Sequence, residues 1–83
     1  MKIYKKETFK FGKLQKIEFV CEGLGEEIKD SEPKEVATLL IVKGLKCTIE
    51  NIKESKVIYS DKVYKISPLN DFEMNCFCEY LSM

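Results

Sequence analysis

The chain opens with apolar residues at odd positions, Ile3, Phe9 and Phe11, and resumes that period in "LQKIEFVCE", where Ile17, Phe19 and Cys21 are again odd. A two-residue period marks a strand with one buried face, so two strands are predicted with a turn at Gly12. A connection through Gly12, Lys13 and Leu14 brings the six apolar side chains to one face, while a tighter Gly12–Lys13 turn is equally legal. The polar stretch "EGLGEEIKDSEPKE", with its two glycines and its proline, reads as a loop.

A different pattern begins at Pro33. Proline suits the first turn of a helix, Glu32 or Ser31 precedes it as a cap, and Gly44 closes "KEVATLLIVK" as a C-terminal stop, so a helix is predicted over 33–43. Its apolar residues (Val36, Ala37, Leu39, Leu40, Ile41, Val42) nearly encircle it, which predicts packing on most sides. A buried strand turning at Lys43–Gly44 is the rival reading, because so short an apolar run satisfies both.

Beyond Gly44 the pattern returns to strands. "KCTIENI" is one, and "VIYSDKVYKI" forms a hairpin about Asp61–Lys62 that sets Tyr59 opposite Tyr64 and Val57 opposite Ile66, with Pro68 ending it. In "FEMNCFCEY", Phe72, Met74, Cys76, Cys78 and Tyr80 alternate with Glu73, Asn75 and Glu79, the pattern of a half-buried strand with both cysteines facing the core. A helix would instead align Phe72, Cys76 and Tyr80 and hold Cys76 and Cys78 about 200° apart. Together these elements predict an α+β fold, residues 1–83 as one small domain. It has an antiparallel sheet of about five or six strands with one helix packed on it, and an all-β small barrel is the alternative.

Composition narrows the chemistry. The 83 residues are 45% hydrophobic and 34% charged, the balance of a globular domain with a thin core. All 14 basic residues are lysines, and the chain has neither histidine nor tryptophan. The usual proton shuttle and transition-metal ligand is therefore missing, as is the planar fork that reads guanine or phosphate bidentately. The opening lysines precede no apolar targeting segment, and "VATLLIV" is far shorter than the roughly 20 residues a membrane span needs. A cytoplasmic location with no membrane partner is expected.

The cysteines suggest chemistry but do not carry it. One C-x-C pair, Cys76 and Cys78, with isolated Cys21 and Cys47 and no histidine, is a poor match to the paired spacings of zinc sites. All four thiols are expected to be reduced and buried, with no metal and no cofactor. "GLGEE" places Glu26 and Glu27 where a phosphate would sit, so Gly23 and Gly25 read as a turn. No spacing singles out a carboxylate pair, and no catalytic residue is assigned.

Charge is zero overall but divided along the chain. Residues 1–17 hold six lysines and one glutamate, net +5, and residues 18–35 hold seven acids and two lysines, net −5. Cross-strand lysine–glutamate pairing is the simple expectation, and two patches offered to partners the other. The functional expectation is a non-catalytic protein-binding module, a small adaptor or inhibitor of the kind often carried by phages or mobile elements. Its predicted contact residues are Tyr59 and Tyr64 of the 56–67 hairpin with Glu26, Glu27 and Asp30 of the acidic loop. A homodimer is a further candidate assembly. The alternatives are a small-molecule binder or minimal thiol enzyme with its pocket between helix and sheet, and a weak, non-specific nucleic-acid binder acting through the N-terminal lysines.

Overall fold

A computed structural model describes residues 1–47 and 52–81. The element order is β1 (Lys2–Lys10), β2 (Lys13–Gly23), β3 (Glu26–Asp30), α1 (Pro33–Lys43), β4 (Ser55–Tyr59), β5 (Lys62–Ser67) and α2 (Asp71–Leu81). The strands form one open antiparallel sheet in the order β3-β2-β1-β5-β4. The fold is α+β and the sheet does not close into a barrel.

The first hairpin turns at Phe11–Gly12, not through Gly12–Lys13. Both turn residues have positive φ (53° and 77°), the conformation that matches strand twist in a two-residue hairpin, and Lys10 pairs with Lys13. A bulge opposite Thr8 and Phe9 leaves Gln15 unmatched, and this extra residue switches the pairing from odd-with-even at the turn to odd-with-odd and even-with-even from Thr8 back to Lys2. Ile3 therefore faces Cys21 and both enter the core with Phe19, whereas Phe11 is held out in the turn, 78% exposed.

The acidic stretch read as a loop contains a strand. Leu24 and Gly25, with φ of 52° and 79°, make a second tight hairpin, and β3 buries Ile28 beside Cys21. One apolar residue among charges gives almost no periodicity, which is why pattern alone misses it.

Helix α1 has the predicted bounds. Glu32 precedes it, Pro33 starts it, and Gly44 ends it in the left-handed conformation, donating its N–H to the Ile41 carbonyl while Leu45 donates to Leu40. The predicted all-round packing is not found. Val36, Ala37 and Leu40 are fully buried against the sheet, and Leu39, Ile41 and Val42 face solvent.

Residues 72–80, read as a strand, are a helix instead. Asn70 and Glu73 cap it reciprocally: the Glu73 N–H donates to Asn70 Oδ1 at 2.8 Å, and the Asn70 N–H donates to Glu73 Oε1 at 2.9 Å. This capping box satisfies two amides that the first helical turn leaves unpaired, and it outweighs the alternating pattern. The side chain buried by α2 is Phe77, at 0% exposure, while Cys76 and Cys78 are only half-buried. The core face of α2 is Met74, Phe77, Cys78 and Leu81, so of the two cysteines expected to face the core Cys78 packs against it and Cys76 does not, and Phe72 is largely exposed.

Both helices pack over the β3-β2-β1 end of the sheet. Ile3, Phe19, Cys21 and Ile28 meet Val36, Leu40, Leu69 and Phe77 in a single cluster. Cys21 and Cys47 are joined as a disulfide, contrary to the expectation that all four thiols are reduced; folding brings residues 26 apart in sequence together at the core's edge. The strand expected over 46–52 is not formed at Lys46, Cys47 or Ile52, and its centre lies outside the described residues.

Candidate functional site

Residues directly opposite on paired strands share a face, so the registers assign every side chain to the helix side or the open side of the sheet. The open side carries Tyr4, Lys6, Thr8 and Lys10 of β1, with Val20, Glu18, Lys16 and Lys13 of β2 beside them. Ile66, Tyr64 and Lys62 of β5 and Ser55, Val57 and Tyr59 of β4 extend the face. No helix covers it among the described residues.

This face has two ends of opposite sign. At the Phe11–Gly12 end, Lys13, Lys10 and Lys62 stand directly opposite one another on three neighbouring strands. Lys6 and Lys16 lie one or two rows above. Lys6 Nζ sits over the half-buried Tyr64 ring, 4.8 Å from its centroid. Two ion pairs offset part of the charge, the exposed Lys10–Asp61 at 3.7 Å and Lys16–Glu18 at 3.5 Å, whose carboxylate is largely covered. A shallow depression of about 380 Å³ runs between Lys6, Lys16, Lys62 and Tyr64. Tyr59 closes the row beside Lys62 and is 72% exposed.

At the opposite end, Glu22, Glu26 and Glu27, partly offset by Lys2, border a groove of about 790 Å³ that Tyr4 and Ile66 also line. Burial, with the nearby carboxylates of Glu22, Glu27 and Glu18, pushes the Tyr4 phenol up to about 12. Gly23 makes this corner possible. Its φ is 151°, and a Cβ there would come within 2.8 Å of the Met1 backbone, so the chain start packs against the second hairpin only because the side chain is absent.

The predicted contact residues separate accordingly. Tyr59 and Tyr64 do share the open face, but the hairpin turns at Ser60–Asp61 and not at Asp61–Lys62, so Tyr59 pairs with Lys62 and Val57 with Tyr64. Even–odd parity survives that shift, and the two rings are diagonal neighbours rather than opposite. Glu26 and Glu27 border the acidic groove at the far end. Asp30 is on the helix side, where its Oδ1 accepts from Ser31 Oγ at 3.3 Å and from the Glu32 N–H at 3.4 Å, and it shapes the entry to α1. Sequence reasoning grouped Lys10, Lys13 and Lys16 with the N-terminal lysines but missed Tyr4 and Lys62, and that the lysines share a face with Tyr59 and Tyr64. The even-position run Tyr4, Lys6, Thr8, Lys10 was the available signal.

Cys76 and Cys78 border neither depression, and among the described residues no three His, Cys, Asp or Glu side chains are grouped to hold a metal ion. Comparison of the chain with protein-family profiles, with curated proteins and with solved structures yields no match.

Proposed function

We propose that this chain is a non-catalytic protein-binding module, an adaptor or inhibitor that docks the basic, tyrosine-bearing end of its open sheet face onto an acidic surface of a larger protein. The observation that carries the reading is the row Lys13–Lys10–Lys62. Like charges directly opposite one another destabilise a sheet, and a domain this small has little stability to spare. Such a local conflict is typical of a surface shaped for a ligand, where a partner's carboxylates relieve the repulsion and Tyr59 supplies rigid apolar area. The groove end, with Glu22, Glu26 and Glu27, would orient the partner through opposite charge.

The test is position-dependent photo-cross-linking in extracts of the source cells. A photoreactive side chain at Tyr59 or Lys62 should give one protein adduct that one at Val42 on the outer face of α1 does not. Lys10→Glu with Lys62→Glu should abolish the adduct and leave the melting temperature unchanged or higher. Adducts that are equal at all three positions, or that survive the charge reversal, exclude this face.

The same row favours a second reading, weak binding of single-stranded nucleic acid through phosphate contacts. Five lysines without a bidentate reader would give affinity that falls steeply with salt and ignores base sequence. A fluorescence titration at two salt concentrations separates it from protein docking.

A further inference from the structure

The two edges of the sheet are treated differently. Edge strand β3 reads EEIKD, four charges in five residues, and α1 packs beside it. Edge strand β4 reads SKVIY, and none of its five residues is buried. Val57, Ile58 and Tyr59 are 52%, 71% and 72% exposed, and they lie on both faces of the strand. The β4–β5 ladder runs without a bulge and β4 has no proline. An edge left straight, apolar and nearly uncharged is a template for another strand, and small domains normally guard against that.

We infer that β4 pairs antiparallel with β4 of a second copy of this chain, extending the sheet across a two-fold axis. Such an axis must place one residue opposite itself, so few registers exist. Centring on Lys56 sets lysine against lysine. Centring on Ile58 drives Ser55 against the turn residue Asp61 and leaves part of the strand unpaired. Centring on Val57 pairs all five residues of β4: Ser55 meets Tyr59, Lys56 meets Ile58, and Val57 meets Val57. No like charges oppose one another in that register. One step outside it Glu54 meets Ser60, and two steps outside, at the turn, Lys53 falls on the side of Asp61 of the other copy at both ends, an oppositely charged pair made twice by symmetry that would share Asp61 with Lys10.

The axis is perpendicular to the sheet, so both open faces point the same way. The basic, tyrosine-bearing end of each copy then abuts the Ser55–Ile66 end of the other, so the two basic ends lie diagonally across the axis on one continuous sheet and the two acidic grooves lie outside. The dimer does not depend on the docking proposal above, and its failure would leave that proposal standing.

Sedimentation velocity of the full chain over a micromolar concentration series tests it. The expected result is a transition from a 9.7 kDa species to twice that mass, without larger assemblies. Val57→Lys places two ammonium groups together at the axis and should weaken association roughly a hundredfold, with an unchanged circular dichroism spectrum. Lys53→Asp and Asp61→Lys should each weaken it less, and the double variant should restore it. That rescue keeps the test decisive even if Val57→Lys perturbs folding. A chain that stays monomeric throughout overturns the inference. So does a dimer indifferent to Val57→Lys, an open-ended oligomer, or a double variant no better than its parents.

Discussion

Replacing Phe77 by alanine is the sharpest test of the C-terminal half, because the helix and the alternating strand give opposite answers. In the structure Phe77 is fully buried among Ile3, Val36, Leu40 and Leu69, and Cys76 beside it is half-exposed. Truncating a buried phenylalanine costs about 3 to 5 kcal/mol through lost burial and the cavity left behind. A domain of 83 residues at about 0.05 to 0.15 kcal/mol per residue has about 4 to 12 kcal/mol in total, so the change removes a large share of it. At about 4 to 8 °C per kcal/mol for a chain of this size, the midpoint of thermal unfolding should fall by about 12 to 40 °C. Cys76→Ala, on the half-exposed side, should cost under about 1 kcal/mol. Urea unfolding followed by far-ultraviolet circular dichroism measures both, and the milder Phe77→Leu keeps the comparison available if the alanine variant is unfolded at rest. If Cys76→Ala proves severe and Phe77→Ala nearly silent, α2 is not a helix in solution.

Two further outcomes are expected. Alkylation of the unfolded, unreduced chain should label Cys76 and Cys78 but not Cys21 or Cys47, and reduction should lower stability by about 3.5 kcal/mol, the chain-entropy value for a loop of this length; labelling of all four thiols in protein taken directly from cells would restore the reduced state expected of a cytoplasmic chain. Raising pH should ionise Tyr4 only near about 12, against 10.0 for a free phenol. The neutral phenol is the form the fold favours, so its contribution is intact below pH 10 and lost as pH rises toward 12. Phenolate absorbance should therefore show a late step that Tyr4→Phe removes, and a titration unchanged by that substitution contradicts the buried, carboxylate-flanked geometry.

How far the chain could be read depended on which physical signal dominated locally. Helix α1 was legible because Pro33 and Gly44 fix both of its ends through backbone conformation, whatever its middle packs against. Its burial was not legible, since Leu39, Ile41 and Val42 follow no stripe in the sequence and solvent receives them because the core takes only the Val36, Ala37 and Leu40 side of the helix. In α2 the alternation of Phe72, Met74, Cys76 and Cys78 competed with the capping signal Asn70-x-x-Glu73, and the cap prevailed. Both hairpins turn one residue earlier than a Gly12–Lys13 or Asp61–Lys62 turn would, because Phe11 and Ser60 adopt positive φ, which a glycine or asparagine signals and these residues do not.

The candidate face shows how a linear charge pattern becomes a spatial one. Lysines dominate the first 17 residues and acids the next 18, and cross-strand neutralisation was the simple expectation. A hairpin folds the lysine-rich segment back on itself before the acidic part begins. Neutral pairing therefore occurs where the segments overlap, at Lys2–Glu22 and Lys6–Glu18, and fails near the turn, where Lys10 meets Lys13. Strand β5 brings Lys62 to the same row, and the turn before it supplies a single acid, Asp61, 3.7 Å from Lys10, which offsets one of the three charges. Chain connectivity explains the first like-charge contact and does not explain the second, because β5 arrives from a distant part of the sequence and its residue there is unconstrained by the hairpin. It is this second lysine, added where the sheet was already repulsive and next to an exposed Tyr59, that makes an anionic partner the economical account of the face.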